Sequence, residues 1–208
     1  MATPNLADSA PRASGGLHTP ERLANIRRNV ERFPWAKAAA RRSVHHAKRW
    51  VSMSDEELWQ LVPGQKLPRC IDVTMTYTRK GKARPGCLVC GEKVFKHGNY
   101  PYSPNVFAKP WKLTCPSCKA VFPTNDFAAF YQSAIGKDGC FDAGNGDTAL
   151  LFNAEHPDAN DPLHTWGVDN GHGYIDENGL GHRYIAYYTW KLWQTILNGV
   201  GALSNASS

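Results

Sequence analysis

Two pairs of cysteines constrain the fold of this chain more than any other feature. Cys87 and Cys90 enclose Leu-Val, and Cys115 and Cys118 enclose Pro-Ser. Two intervening residues allow one tight turn to aim both sulfurs at the same ion, and Gly91 follows the first pair, where left-handed backbone is often needed. About two dozen residues separate the pairs, which is enough for a hairpin or loop that returns the chain. The spacing therefore predicts a structural zinc (Zn2+) site with four thiolate ligands, in a zinc-ribbon-like β element within residues 67–135.

Other uses of paired cysteines fit this sequence less well. A redox-active Cys-x-x-Cys pair normally lies at a strand–helix junction of a thioredoxin-like unit, and neither pair has that context. Two disulfides would require an oxidising compartment. Cys70 and Cys140 remain outside the pairs, and we expect free thiols there, with a Cys70–Cys140 bridge as the alternative. A site closed by four sulfurs stabilises the fold and performs no chemistry of its own.

Helix signals dominate residues 19–66. The sequence Thr19-Pro20-Glu21 combines a capping hydroxyl, a proline suited to the first turn and an acid at the positive end of the helix. Apolar residues then recur at helical spacing, at Leu23, Ile26, Val30 and Phe33. A second helix is predicted from about Trp35 to Val51. Ser54 and Glu57 form a capping box, which predicts a short third helix.

From Leu67 onward the pattern changes to strands, loops and one long helix. Apolar residues alternate with polar ones as in a half-buried strand, at Ile71, Val73, Met75 and Tyr77. A short helix is predicted for Phe127 to Tyr131. Residues 136–181 are dense in Gly, Asp, Asn and Pro, which predicts a loop-rich connection. The segment His182–Leu203 is apolar nearly all round, which predicts a helix packed on several sides. Together these segments predict an α+β fold.

The charge of the chain suits an acidic partner, and it fits a merely soluble basic protein equally well. The formal net charge is +6 and the sequence pI is about 9.0, which suits nucleic acid or an anionic polysaccharide. The basic residues concentrate in the first third of the chain, at Arg27, Arg28, Arg32, Lys37, Arg41, Arg42, Lys48 and Arg49. Their helical spacing favours a solvated face, so we expect nucleic-acid binding to be weak and sensitive to salt.

The sequence offers no membrane span and no visible export signal. No apolar run is long enough to cross a bilayer. Residues 1–18 are rich in Ala, Ser and Pro, which predicts a disordered leader without the apolar centre of a secretory signal.

Histidines gather in the loop-rich part of the chain. The candidate substrate-binding residues are His156, His164, His172 and Tyr174, with His182 close by. Imidazoles near carboxylates can bind ligands and move protons. Their spacing matches no metal-protease pattern, and structural histidines are the favoured alternative.

Acidic residues in the same region raise the question of calcium. They form two groups, Asp142, Asn145 and Asp147, and Asp169, Asn170 and Asp176. Neither group fits the twelve-residue calcium loop. Turn formation explains Asp and Asn at these places better.

Several longer motifs follow one another in a distinctive order. They are Thr19 to Arg22, Ser54 to Trp59 with Val62-Pro63-Gly64, Cys87 to Gly91, Pro110 to Lys112, Cys115 to Cys118, Phe122 to Phe127, Leu151 to Pro157, Gly167 to Asp169, and Gly173-Tyr174. In this order the chain resembles the N-terminal part of bacterial heparinase II/III-like proteins, a group of polysaccharide lyases. The resemblance covers residues 18–203.

The resemblance implies an enzyme of acidic polysaccharides. The family consists of an α/α toroid followed by a β-sandwich, so residues 182–208 would be the first, incomplete part of the toroid. Its members cleave by β-elimination, with Asn, His and Tyr as catalytic residues, and the resemblance suggests a secreted or periplasmic protein. Asn153 and His156 match no catalytic motif here, so the catalytic residues stay unassigned. We therefore expect a part of a lyase that is inactive by itself.

Two alternatives to a lyase remain. In the first, a small zinc-ribbon module binds nucleic acid or a protein partner through basic residues beside the cysteines, at Arg79, Lys80, Lys82 and Arg84. In the second, the zinc domain is purely structural. The interleaving of aromatic residues with Pro and Gly after Cys90 favours a packed loop over an exposed nucleic-acid surface.

Overall fold

A computed structural model describes residues 19–71, 74–75 and 86–206 of the chain. The chain forms two compact units, residues 1–58 with 196–208 and residues 59–195. The predicted leader 1–18 lies outside the described residues. So do Val73 and Tyr77 of the predicted strand and the basic residues between positions 79 and 84.

Two helices make up most of the first unit, and their ends are set by local capping. Helix α1 spans Pro20–Arg32, and the hydroxyl of Thr19 accepts a hydrogen bond from the Arg22 N–H at 3.3 Å. Helix α2 spans Pro34–Val51. Phe33 between them is extended, because the proline that follows disfavours helical backbone at the preceding residue. The predicted cap and break are both confirmed.

The third helix, α3, spans Asp55–Gln60 and begins with the predicted capping box. The backbone N–H of Ser54 donates to the Glu57 carboxylate at 2.7 Å, and the Glu57 N–H donates back to the Ser54 hydroxyl at 3.2 Å. Two N–H groups that the helix itself leaves unpaired are thereby satisfied.

The second unit contains short antiparallel strands. Strands β1 (Thr74–Met75), β4 (Tyr174–Ile175) and β5 (Gly181–His182) form a sheet in the order β1-β5-β4. Strands β2 (Leu113–Thr114) and β3 (Val121–Phe122) form a hairpin in which Leu113 pairs with Phe122. With the helices, these strands confirm the α+β class.

Two further helices carry the core of the second unit. Helix α4 spans Phe127–Ser133, close to its predicted position, and begins where the Asp126 carboxylate accepts from the Ala129 N–H at 3.1 Å. Helix α5 spans Tyr184–Ala206. The buried core cluster contains Phe127 and Phe130 of α4, Ile185 of α5, and Leu67, Ala134 and Phe141 from the connecting segments. Helix α5 is the segment that the sequence marks as apolar nearly all round.

The start of α5 differs from the prediction by two residues. His182 does not begin the helix, because it lies in β5 and pairs with Thr74 and Tyr174. All residues from Tyr184 to Thr189 are buried, so the first turns of α5 are enclosed on every side. Farther along, Leu197 and Val200 are exposed. Within the first unit, Gly199 of α5 lies so close to the Trp50 indole that a side chain there would overlap it.

Among the described helices, none combines the length and the apolar character needed to cross a membrane.

Candidate metal centre

The first cysteine pair lies in a tight turn that its own backbone closes. The Cys87 N–H donates to the Gly91 carbonyl at 3.1 Å, and the Gly91 N–H donates to the Cys87 carbonyl at 2.8 Å. The Val89 N–H points into the turn and donates to the Cys87 sulfur at 3.4 Å. Gly91 has a φ of +57°, which explains the glycine at this position. Both sulfurs of the pair therefore emerge on one side of the turn.

The second pair is held in the turn between β2 and β3. The Cys115 N–H donates to the Ala120 carbonyl at 2.8 Å, and the Lys119 N–H donates to the Cys115 carbonyl at 3.0 Å. Lys119 follows the second cysteine of its pair just as Gly91 does, and it has a similar φ of +69°. Both positions thus have positive φ, although only the first has the glycine that positive φ favours.

The two turns bring all four sulfurs to one point. Cys87 Sγ lies 3.7 Å from Cys118 Sγ, and Cys90 Sγ lies 3.7 Å from Cys115 Sγ. All four sulfurs lie within 4.8 Å of one another. Zinc–sulfur bonds of about 2.3 Å in a tetrahedron place the sulfurs about 3.8 Å apart. None of the six cysteines, all of which the structure describes, forms a disulfide. The four clustered cysteines are therefore compatible with a metal site.

The surrounding protein shifts the pKa values of three of these thiols, and not all in the same direction. Burial, together with hydrogen bonding to neighbouring thiols, raises the pKa of Cys90 to about 12. Burial likewise raises the pKa of Cys87. Burial also acts to raise the pKa of Cys115, but backbone hydrogen bonds from Cys118 and Ser117 outweigh it and lower that pKa overall. A metal that binds here must displace protons, so its affinity should rise with pH.

The turn around the first pair tolerates no side chain at Gly86. This residue has a φ of +74°, and a Cβ there would overlap the Gly91 carbonyl that accepts from Cys87. Gly179 also has a φ of +74°, but a Cβ there would have nothing within 4 Å. The two glycines share a backbone conformation and differ in crowding.

We expect Gly86→Ala to weaken both folding and metal binding far more than Gly179→Ala. The control should cost only the strain of left-handed backbone, about 1–2 kcal/mol. Gly86→Ala should cost about 2 kcal/mol more, because the Gly91 carbonyl must move. Urea unfolding and zinc competition with a chromophoric chelator measure the two effects. Equal losses in the two variants would show that crowding at Gly86 does not matter.

The centre is joined to the core by side chains on both sides. The Ser117 hydroxyl donates to the Lys93 carbonyl at 3.1 Å, which ties the second turn to the short 3₁₀ helix Glu92–His97 after the first. The Phe122 ring of β3 stacks on Tyr184 of α5, with centroids 4.7 Å apart and planes 10° apart. The geometry of the sulfurs is thus supported by the packing of α5.

A buried polar network that the sequence does not reveal fixes the beginning of α5. The Asp169 carboxylate accepts from the N–H groups of Gly171 at 2.7 Å, Gly173 at 3.0 Å and Ile185 at 3.1 Å. The Asn125 side chain pairs with the Asp169 backbone through bonds of 2.9 and 3.1 Å. Asp169 and Asn125 are fully buried. These residues belong to the scaffold around the centre.

The candidate substrate-binding histidines have structural partners. His156 Nδ1 lies 2.8 Å from the Asp161 carboxylate, and His164 Nδ1 lies 3.0 Å from the His156 carbonyl. The His164 ring also stacks on Phe152 at 5.6 Å. His156 and His164 therefore lie together. Among the described residues, no hydrogen bond or ring contact is seen that joins His156 or His164 to His172 or Tyr174. Substrate binding by this set therefore stays a prediction.

His182, the remaining member of the histidine-rich region, is buried. Its Nε2 lies 2.9 Å from the Asp176 carboxylate, and its ring contacts Tyr174 and Tyr184. The hydrogen bond with His182 helps to lower the pKa of Asp176 against the opposing effect of burial. The hydrogen bond between His182 and Asp176 stabilises the turn between β4 and β5.

The acidic groups form turns, as the sequence suggests. Five side chains each accept from the backbone N–H two residues farther on, and these are Asp142, Asp147, Asp169, Asn170 and Asp176. Such bonds occupy the carboxylate or amide oxygen locally. Within the described residues, the cysteines form the one cluster of potential metal ligands.

Comparison with known proteins gives no match to a family model, to a curated protein or to a solved structure.

Proposed function

We propose that this chain is a zinc-stabilised N-terminal region of a heparinase II/III-like polysaccharide lyase. The zinc part of this proposal rests on the sulfur cluster, in which two sulfur–sulfur distances of 3.7 Å match the edge of a zinc–thiolate tetrahedron. Four thiolates also suit the borderline-soft Zn2+ ion better than they suit Mg²⁺ or Ca²⁺. The lyase part rests on the order of sequence motifs.

The zinc in this proposal is structural. Four protein ligands leave no open position for water or substrate, so the ion fastens the chain and takes no part in a reaction. It would tie the turn at Cys87 to the β2–β3 hairpin and, through Phe122, to the first turn of α5. In the toroid that the resemblance implies, α5 would be the first helix.

Many motif residues have scaffold roles that fit this proposal. Lys112 is half-buried, and its amine donates to the carbonyls of Pro123 and Asn125, at 2.7 Å each. Burial lowers the pKa of that amine. Asn153 is buried, and its amide donates to the Leu163 carbonyl at 3.2 Å. Through its two hydrogen bonds, Lys112 joins the motif Pro110 to Lys112 to the motif Phe122 to Phe127 within the second unit.

The reaction of such a lyase is a β-elimination. A base removes the proton on the carbon next to the uronate carboxylate, the bond to the glycosidic oxygen breaks, and a carbon–carbon double bond forms. The leaving oxygen takes up a proton, so no water or oxidant is consumed. The carboxylate must be neutralised by hydrogen bonds or positive charge for the proton to leave.

The surface charge of the first unit favours an anionic partner. Helices α1 and α2 carry nine basic and two acidic side chains, a net charge of +7, whereas the whole chain has +6. Val30, Ala40 and Val44 line a groove of about 530 Å³ between Lys37, Arg41 and Lys48. The positive charge is therefore concentrated on one helix pair.

The test compares anionic polymers that differ in charge density and in uronate content. Heparan sulfate, hyaluronan and alginate contain uronate, whereas dextran sulfate is anionic without it. At physiological salt, one uronate polymer should bind more tightly than dextran sulfate, and appearance of unsaturated product in the ultraviolet would support the lyase further. Binding ranked by charge density alone would contradict the lyase proposal. Tight binding of duplex DNA that survives physiological salt would favour the nucleic-acid module instead.

A further inference from the structure

Two buried tyrosine hydroxyls of the second unit have no hydrogen-bond partner among the described residues. Tyr102 is 2% exposed and Tyr184 is fully buried, and within the described part of the chain neither hydroxyl has an acceptor or donor in hydrogen-bond geometry. A buried polar group without a partner is costly, so native proteins rarely keep one without a reason. The reason here should lie in what surrounds the hydroxyls.

The surroundings of the Tyr102 hydroxyl are the proposed metal ligands. Burial raises the pKa of Tyr102, and the neighbouring thiols of Cys87 and Cys115 raise it further. Burial also raises the pKa of Tyr184, and Tyr102 and Cys87 raise it further. Of the two hydroxyls, that of Tyr102 is the one with Cys87 as a hydrogen-bonding neighbour.

Tyr102 is held in this position by contacts that do not involve its hydroxyl. Its backbone carbonyl accepts a hydrogen bond of 2.9 Å from the Tyr187 hydroxyl on α5. Its ring packs edge-on against the Tyr187 ring, with centroids 5.8 Å apart. The hydroxyl is thus aimed by the packing and remains available for another partner.

A metal-loaded cluster contains negatively charged thiolates, which can accept a hydrogen bond. Four thiolates and one Zn2+ carry a net charge of about −2, which is costly to bury unless N–H or O–H donors face the sulfurs. Backbone groups provide some donors, such as the Val89 N–H at 3.4 Å from Cys87 Sγ. Further donors are needed where the sulfurs are most buried, and Cys87 is 2% exposed.

We propose that the Tyr102 hydroxyl donates a hydrogen bond to the Cys87 thiolate of the metal-loaded centre and so acts as a positioning residue for the metal. This inference rests on the proposed zinc site and extends it to α5. When metal binds, the sulfur becomes a better acceptor and the hydroxyl gains a partner. Because Tyr187 holds the carbonyl of Tyr102, the position of α5 then influences metal affinity.

Tyr102→Phe tests the proposal, because it removes the hydroxyl and keeps the ring. Competition with a chromophoric chelator should show zinc affinity lowered by about 10-fold or more. With Co²⁺ in place of zinc, the sulfur-to-metal charge-transfer band should shift to lower energy, because a thiolate without its hydrogen bond is easier to oxidise. The spectrum is recorded on the loaded protein, so it does not depend on whether the metal-free variant folds.

Tyr188→Phe is the matched control. It removes the hydroxyl of a buried tyrosine on α5 whose ring packs against Trp111, with centroids 5.2 Å apart, so it should lower stability and leave the Co²⁺ band in place. The proposal is overturned if Tyr102→Phe has the zinc affinity and Co²⁺ spectrum of the unaltered chain. If the unaltered chain itself shows no four-sulfur Co²⁺ spectrum, the zinc site fails, and that outcome is distinct from the failure of Tyr102 alone.

Discussion

Cys115→Ser should abolish stoichiometric metal binding and unfold the second unit at room temperature. Cys115 is fully buried at the centre of the cluster, and a serine hydroxyl does not replace a thiolate as a zinc ligand. Metal binding in small four-ligand sites contributes about 10–16 kcal/mol of apparent free energy. This range equals or exceeds the total stability of a typical domain, about 5–15 kcal/mol.

The measurement combines circular dichroism with bound-metal analysis on the same preparation. Cys140→Ser is the matched control, because Cys140 is exposed and lies outside the cluster. The control should keep its metal and its urea midpoint. A folded Cys115→Ser variant with an unchanged midpoint would show that the cluster does not stabilise the chain.

Asp169→Ala should cause the largest loss of stability that does not involve the metal ligands. The variant leaves three buried N–H groups without their acceptor, those of Gly171, Gly173 and Ile185. Each such group costs about 1–3 kcal/mol, so the loss of three should cost at least about 3 kcal/mol. We therefore expect the free energy of unfolding to fall by at least this amount, measured by urea unfolding of the zinc-saturated protein.

Asp147→Ala provides the comparison for this loss. Asp147 is exposed, and its carboxylate accepts from the single N–H of Ala149 at 3.0 Å. Its replacement should cost about 1 kcal/mol, as for an ordinary cap. If both variants lose the same amount, the buried network at Asp169 does not fix the start of α5 as described.

The features that sequence predicts well here are set by neighbours within a few residues. The two cysteine spacings predict two tight turns, and the caps at Thr19 and Ser54 predict the beginnings of α1 and α3. Each of these features depends on hydrogen bonds between residues no more than about four positions apart. The apolar pattern of α5 also predicts a buried helix, because it marks all faces of one continuous segment.

Features that depend on contacts between residues far apart in the chain could not be predicted from the sequence pattern. His182 resembles the first residue of a helix, but its pairing with Thr74 and Tyr174 places it in a strand. Tyr102 carries no motif, and its contacts with Tyr187 of α5 join residues 85 positions apart. Lys119 adopts a left-handed backbone where glycine would be expected, so its turn is specified by the hairpin rather than by its own preference.

The histidine-rich region shows why clustering in sequence does not establish a site. His156 and His164 contact each other, whereas His182 pairs with Asp176 in a separate turn. His156, His164 and His182 each have a hydrogen-bond partner nearby in the sequence, and acidic residues between them form turns. A shared pocket would require long-range packing that residue spacing does not encode.

The central claim is that four cysteines of this chain hold one zinc ion, and zinc-edge X-ray absorption with elemental analysis tests it most directly. The protein, purified without added chelator, should contain about one zinc per chain, bound by four sulfurs at about 2.3 Å. A folded protein without metal, or a zinc bound by nitrogen or oxygen in place of one or more sulfurs, would contradict the claim.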